Sequence, residues 1–162
     1  MPLYLFFLYF VILKFKWNTF IIILAVALMI IVDDQLSELV KDTIQRLRPS
    51  WQPGLMVHMV DAYKGGNYGF YSAHASNTLS IAIFLLVVMG KDYKAVSILA
   101  ILWSLFMSYT RIYLGVHYPG DILVGWIAGG TIGYLTGKSI LFLINHKVTP
   151  GKKAVGNQSE NL

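Results

Sequence analysis

The sequence predicts an all-α protein, a polytopic bundle of transmembrane helices. Of its 162 residues, 56% are hydrophobic and only 13% are charged, against roughly 25% charged in soluble domains. Mean hydropathy is +0.60. The apolar residues also fall into about five runs separated by polar stretches, as in a chain that crosses a bilayer repeatedly. The sequence contains no cysteine, which excludes a disulfide framework and a thiolate metal site. A formal charge of +5 suits anionic headgroups or anionic substrates. The basic residues are scattered among apolar runs, so no nucleic-acid partner is expected.

The first apolar segment, 2–13, is followed rather than preceded by Lys14 and Lys16, the reverse of a secretory signal. It is shorter than the roughly 20 residues a helix needs to span. It reads as the remainder of a longer helix, from a start placed late in a longer gene, or as a short helix packed on the others. The second is apolar over 19–32 and keeps a helical pattern toward Arg48, where Pro49 should end it. The third covers 73–90, the fourth roughly 93–113 and the fifth 119–145. The fifth carries Gly125, Gly129, Gly133 and Gly137 on one face, a spacing that lets helix backbones approach closely. Packing within the bundle is the first reading of that stripe and a homodimer face the second. Residues 1–147 are expected to form the membrane-embedded domain. The polar tail 148–162, with Pro150 and Gly151, is expected to be disordered or loosely attached.

Three polar stretches interrupt this pattern. In "KDTIQRLRP", Lys41 and Arg48 are seven residues apart, close to two helical turns, with Asp34 seven before Lys41 on the same predicted face. In "GFYSAHASNT", Ser72 can cap the third helix, whose first N–H groups and dipole attract phosphate, and His74 falls in its first turn. In "TRIYLGVHYPGD", Arg111 closes the fourth segment and His117 and Asp121 follow, with Pro119 suited to a first helical turn. A carboxylate that accepts a histidine Nδ1–H leaves the Nε2 lone pair free, which makes His117 a candidate nucleophile and Asp121 its orienter. Each stretch alone also reads as ordinary interfacial chemistry: snorkelling, a boundary histidine, a turn. In a bundle of alternating helices, however, all three fall on one side. Three cations and a helix N-terminus suit a phosphate dianion, and two histidines supply a nucleophile and a general acid.

Lys41-x6-Arg48-Pro49, Ser72-Ala73-His74 and Arg111-x5-His117-x3-Asp121 resemble the three signature motifs of the type 2 phosphatidic acid phosphatase (lipid phosphate phosphatase) superfamily, over roughly 33–137. The second motif reads Tyr71-Ser72-Ala73-His74 where the family usually has Pro-Ser-Gly-His. The third begins Thr110-Arg111 where Ser-Arg is usual. The family commonly has six spans, against five segments here.

The resemblance implies a membrane lipid phosphatase. His117 would attack phosphorus, Asp121 would orient it and His74 would protonate the leaving oxygen. Lys41, Arg48 and Arg111 would hold the phosphate oxygens, helped by Ser72 and the backbone near Ala73. Substrates would be isoprenoid-lipid diphosphates, phosphatidic acid or phosphatidylglycerophosphate, the small size leaning toward undecaprenyl diphosphate in a bacterial enzyme. A phosphotransferase with the same residues, or a non-catalytic scaffold packed through the glycine face, are the alternatives. No carboxylate cluster suited to Mg²⁺ is present, so no metal or cofactor is expected. Alternating helices put Lys14, Lys16, Lys91, Lys94, Lys147, Lys152 and Lys153 on one side. Apart from the three phosphate-binding cations, Arg46 and Lys64 lie on the other, seven against two. The positive-inside rule then places the protein in the cell (inner) membrane with its site extracytoplasmic. Trp51, Tyr63, Tyr68, Phe70, Tyr71, Tyr113 and Tyr118 are expected to form an interfacial belt.

Overall fold

The structure is a computed structural model that describes residues 2–60 and 62–148; the expectation for the tail falls almost wholly outside them. Five α-helices form the bundle: α1 (Pro2–Phe15), α2 (Thr19–Ile44), α3 (Ala73–Met89), α4 (Lys94–Tyr113) and α5 (Pro119–Val148). The stretches Leu3–Ile44, Lys91–Tyr113 and Pro119–His146 are long and apolar enough to cross a membrane, and Ala73–Met89 is a shorter apolar helix.

The first of those stretches is a hairpin rather than one rod. Lys16 has φ +46 within a 3-10 turn, Lys16–Asn18, which ends α1. Tyr4, near the start of α1, lines the same cavity as Lys41, near the end of α2. At the other end, Lys14 Nζ donates to the carbonyl of Met89, the last residue of α3. The short first segment is thus packed on the others, with Phe7 and Val11 in the core. Helices α1, α3 and α5 run away from the polar connections, and α2 and α4 run toward them.

Helix α3 is the axis of the bundle. Ala75, Ser76, Ser80, Ala82, Phe84 and Met89 on it are fully buried. The α5 glycine stripe lies directly against it. A methyl at Gly129 would run into the Ser76 carbonyl and one at Gly133 into the Ser80 carbonyl, while Gly125 faces Ser72 and Gly137 faces Val87. The stripe therefore packs within the chain, against α3, the first of its two readings. Small polar side chains pack between the helices. Thr78 and Ser104 hydroxyls meet at 3.0 Å across α3 and α4, and Trp126 Nε1 donates to Ser108 Oγ at 2.9 Å across α5 and α4. Large apolar side chains such as Leu28, Ile127, Leu135 and Phe142 face outward. Polar-inside, apolar-outside packing is what hydrocarbon solvent demands.

The predicted end of the second helix needs correction. Helix α2 stops at Ile44 with Gln45 in the left-handed conformation (φ 51) as its C-cap, so Arg48 is not helical. Residues 46–48 instead zip onto 67–69: Arg48 N donates to Asn67 O at 3.0 Å, Gly69 N donates to Arg46 O at 2.9 Å, and Leu47 bridges Tyr68. Lys41 and Arg48 therefore do not share a helix face. Their convergence comes from this loop pairing.

Candidate active site

Lys41, Arg48, His74, Arg111 and His117 all line one polar cavity of about 600 Å³, together with Ala73. Lys41 projects from the last turn of α2, is 7% exposed and pairs with Glu38 at 2.7 Å. Arg111 comes from the last turn of α4, where its Nε donates to Thr110 Oγ1 at 3.2 Å. The threonine in place of the family's serine thus keeps its hydroxyl in use. Arg48 extends from the connection after α2. Its Nε donates to Tyr68 O at 3.0 Å and its Nη1 to Val116 O at 3.4 Å. Gly69 lies against its side chain, where a methyl would collide with Arg48 Cγ. Burial lowers the Arg48 pKa from its ordinary value, partly offset by Tyr63 and Glu38.

Ser72 caps α3, accepting from Ala75 N at 3.4 Å, and its own N–H donates to Asp121 O at 3.2 Å. It is fully buried and absent from the cavity lining. Ser72 was expected to help hold phosphate; here its hydroxyl is engaged at the start of α3, the turn that carries Ala73 and His74. His74, in that first turn, is exposed to the cavity.

His117 sits between α4 and α5, 3% exposed. Its Nε2 lies 3.3 Å from Arg48 Nη1 and its Nδ1 lies 3.4 Å from Asp121 Oδ2. The second distance exceeds the roughly 2.7–2.9 Å of a formed charge-assisted hydrogen bond, and such catalytic contacts commonly tighten only when substrate binds. Burial first, and the Arg48 charge second, push His117 down to about 3. This favours the neutral ring, with a lone pair to offer. Asp121 is fully buried behind His117 and does not line the cavity.

The sequence reading missed two partners. Glu38 pairs with Lys41, one helical turn before it, a spacing that could have signalled the pair. Arg46, counted above as a free loop cation, contacts Asp121 Oδ1. The aromatic belt also divides. Trp51, Tyr63 and Tyr113 are exposed, Tyr71 is buried at 3%, and Phe70 and Tyr118 both pack on Arg46. Among the described residues no group of three or more His, Cys, Asp or Glu could hold a metal ion.

Residues 16–143 match the PAP2 superfamily. A lipid A 4'-phosphatase of Bacteroides thetaiotaomicron is 37% identical over 173 residues, covering 98% of this chain and 74% of that protein. A lipid A 4'-phosphatase of Porphyromonas gingivalis is 36% identical over 123 residues, covering 73% of this chain and 50% of that protein. The crystal structure of a transmembrane PAP2-type phosphatidylglycerolphosphate phosphatase from Bacillus subtilis superimposes with a TM-score of 0.60 at 24% identity, covering 93% of this chain and 71% of that one. That likeness shows the fold, a membrane-embedded helical bundle.

Proposed function

The chain belongs to the PAP2 superfamily, and from that premise we propose that it is a membrane lipid phosphatase that hydrolyses a phosphate monoester of a lipid A-type saccharolipid through a phosphohistidine at His117. The observation that carries the chemistry is the single cavity holding Lys41, Arg48, Arg111, His74 and His117. The neutral His117 Nε2 attacks phosphorus as the bond to the lipid oxygen breaks. His74 gives its proton to that oxygen, and the lipid alcohol leaves. The three cations take the charge on the phosphoryl oxygens, and Asp121 supports the His117 ring as it becomes cationic. Water, deprotonated by His74, then attacks phosphorus, releases inorganic phosphate and restores both histidines.

A lipid substrate is supported by a second cavity of about 510 Å³, lined by apolar side chains of α1, α2 and α3. Tyr4 and Asn77 border both cavities, so a headgroup in one can keep its hydrocarbon in the other. The saccharolipid class is supported by the Bacteroides relative, which matches nearly the whole chain. Orientation follows from the loop charges. Apart from the three phosphate-binding cations, the sequence puts seven lysines on the far side against Arg46 and Lys64 on the site side, which supports an extracytoplasmic site in the cell membrane.

The test is phosphate release by the purified protein from lipid A, phosphatidic acid, phosphatidylglycerophosphate and undecaprenyl diphosphate, with His117→Ala as control. The expected result is preferential release from lipid A that disappears in the variant. Preference for the diphosphate would replace the substrate class, and release that survives His117→Ala would overturn the mechanism.

A further inference from the structure

We infer that Arg46 is a positioning residue: it fixes the Asp121 carboxylate so that this carboxylate can orient His117. The inference rests on the assignment of His117 as nucleophile. Arg46 does not line the phosphate cavity, whose cations are Lys41, Arg48 and Arg111. It reaches Asp121 from the opposite side, with Nη2 against Oδ1. The other carboxylate oxygen accepts from Tyr118 N at 2.8 Å and faces His117 Nδ1 at 3.4 Å. Each oxygen has its own partner, so the carboxylate cannot turn without losing one.

Asp121 has no exposed surface, and a buried carboxylate is costly unless a cation or donors compensate it. Arg46 is the cation in contact with it. The guanidinium is itself held in place. Its central carbon lies 4.8 Å from the centre of the Phe70 ring and 5.0 Å from that of Tyr118. A planar cation packed against two aromatic rings loses much of its freedom to swing toward solvent, a geometry that a lysine ammonium does not reproduce. The three parts come from two connections: Arg46 and Phe70 from the two ends of the α2–α3 connection, and Tyr118 from the α4–α5 connection. The clamp thus ties the three chain segments that meet behind the nucleophile. An Arg46 side chain 40% exposed would make a weak ion pair by itself; the ring packing and the buried partner set it apart from one.

The experiment compares Arg46→Ala, Arg46→Lys and Tyr118→Leu with wild type in purified protein on one lipid phosphate. For Arg46→Ala, kcat should fall about 10- to 100-fold, as for a reacting group displaced by about 1 Å, with KM within about 3-fold of wild type. The acidic limb of kcat should move to higher pH, because a carboxylate that loses its cation takes up a proton more readily. Arg46→Lys keeps the charge and should leave the acidic limb in place while lowering kcat by less. Tyr118→Leu keeps every charge and the Tyr118 backbone donor and should lower kcat modestly at unchanged KM. If Arg46→Ala does not fold, the other two variants decide. Wild-type kcat in every folded variant overturns the inference, as does a raised KM at unchanged kcat, the signature of a phosphate ligand. Rapid-quench trapping separates the two levels. Absence of phosphohistidine in wild type defeats the nucleophile assignment, whereas normal trapping at an unchanged rate in Arg46→Ala defeats only the role of Arg46.

Discussion

His117 Nε2 and Arg48 Nη1 lie 3.3 Å apart at one edge of the cavity. The proposed nucleophile and a proposed phosphate-binding cation are thus neighbours. A phosphate oxygen that accepts the Arg48 N–H brings phosphorus to the His117 lone pair. The same cation, acting with burial, keeps that lone pair free of a proton.

This neutrality has a consequence for stability. The pKa of His117 is about 3 in the folded protein against 6.5 for an unperturbed histidine. Between those values the unfolded chain binds a proton that the folded chain does not. The stability from this group is therefore fully present above about pH 6.5 and lost progressively as pH falls toward 3. Thermal melts in detergent at pH 7.5 and pH 4.5 should show a larger loss of Tm in wild type than in His117→Gln. Equal losses would contradict a buried neutral histidine.

The general acid can be tested through the leaving group. His74→Ala should slow hydrolysis of a lipid alkyl phosphate by roughly 10²-fold or more. It should slow p-nitrophenyl phosphate far less, because that leaving group departs without a proton. Equal losses on the two substrates would move His74 from proton donor to phosphate ligand.

Helix packing makes a prediction independent of catalysis. Gly129→Ala and Gly133→Ala put a methyl into backbone carbonyls of α3 and should each destabilise by about 1–3 kcal/mol. Gly130→Ala meets only Leu79 at 3.9 Å and should be tolerated. The readout is the melting temperature in detergent. A wild-type melting temperature for Gly133→Ala would show that α5 does not sit against α3 as described.

Sidedness is testable because the chain has no native cysteine. Lys64, in the connection on the site side, and Asp92, in the far connection, are both exposed. In intact cells a membrane-impermeant maleimide should label Lys64→Cys and spare Asp92→Cys. The opposite pattern would invert the topology and remove an outer-leaflet substrate.

Much of the site was legible in the one-dimensional pattern, because ionisable side chains in an apolar chain are costly and therefore conspicuous. Lys41, Arg48, His74, Arg111 and His117 stood out for that reason, and the cavity contains all five. The helices were legible too, since their apolar runs are long and their breaks carry Pro49, Gly90 and Pro119. What remained hidden depended on contacts between distant segments. The end of α2 was misplaced by four residues because pairing of 46–48 with 67–69, rather than Pro49, decides it. The α5 glycines could serve another chain or this one until α3 was seen against them. Ser72 and Asp121 carry the right chemistry, yet both are buried and bonded to backbone N–H groups of Ala75 and Tyr118. Arg46 looked like any loop cation, since nothing local reveals that Phe70 and Tyr118 will close on it. Residue type and spacing thus determined which groups could do chemistry. Which groups line the cavity and which stand behind them was decided by packing, because a side chain's partner depends on elements far away in sequence.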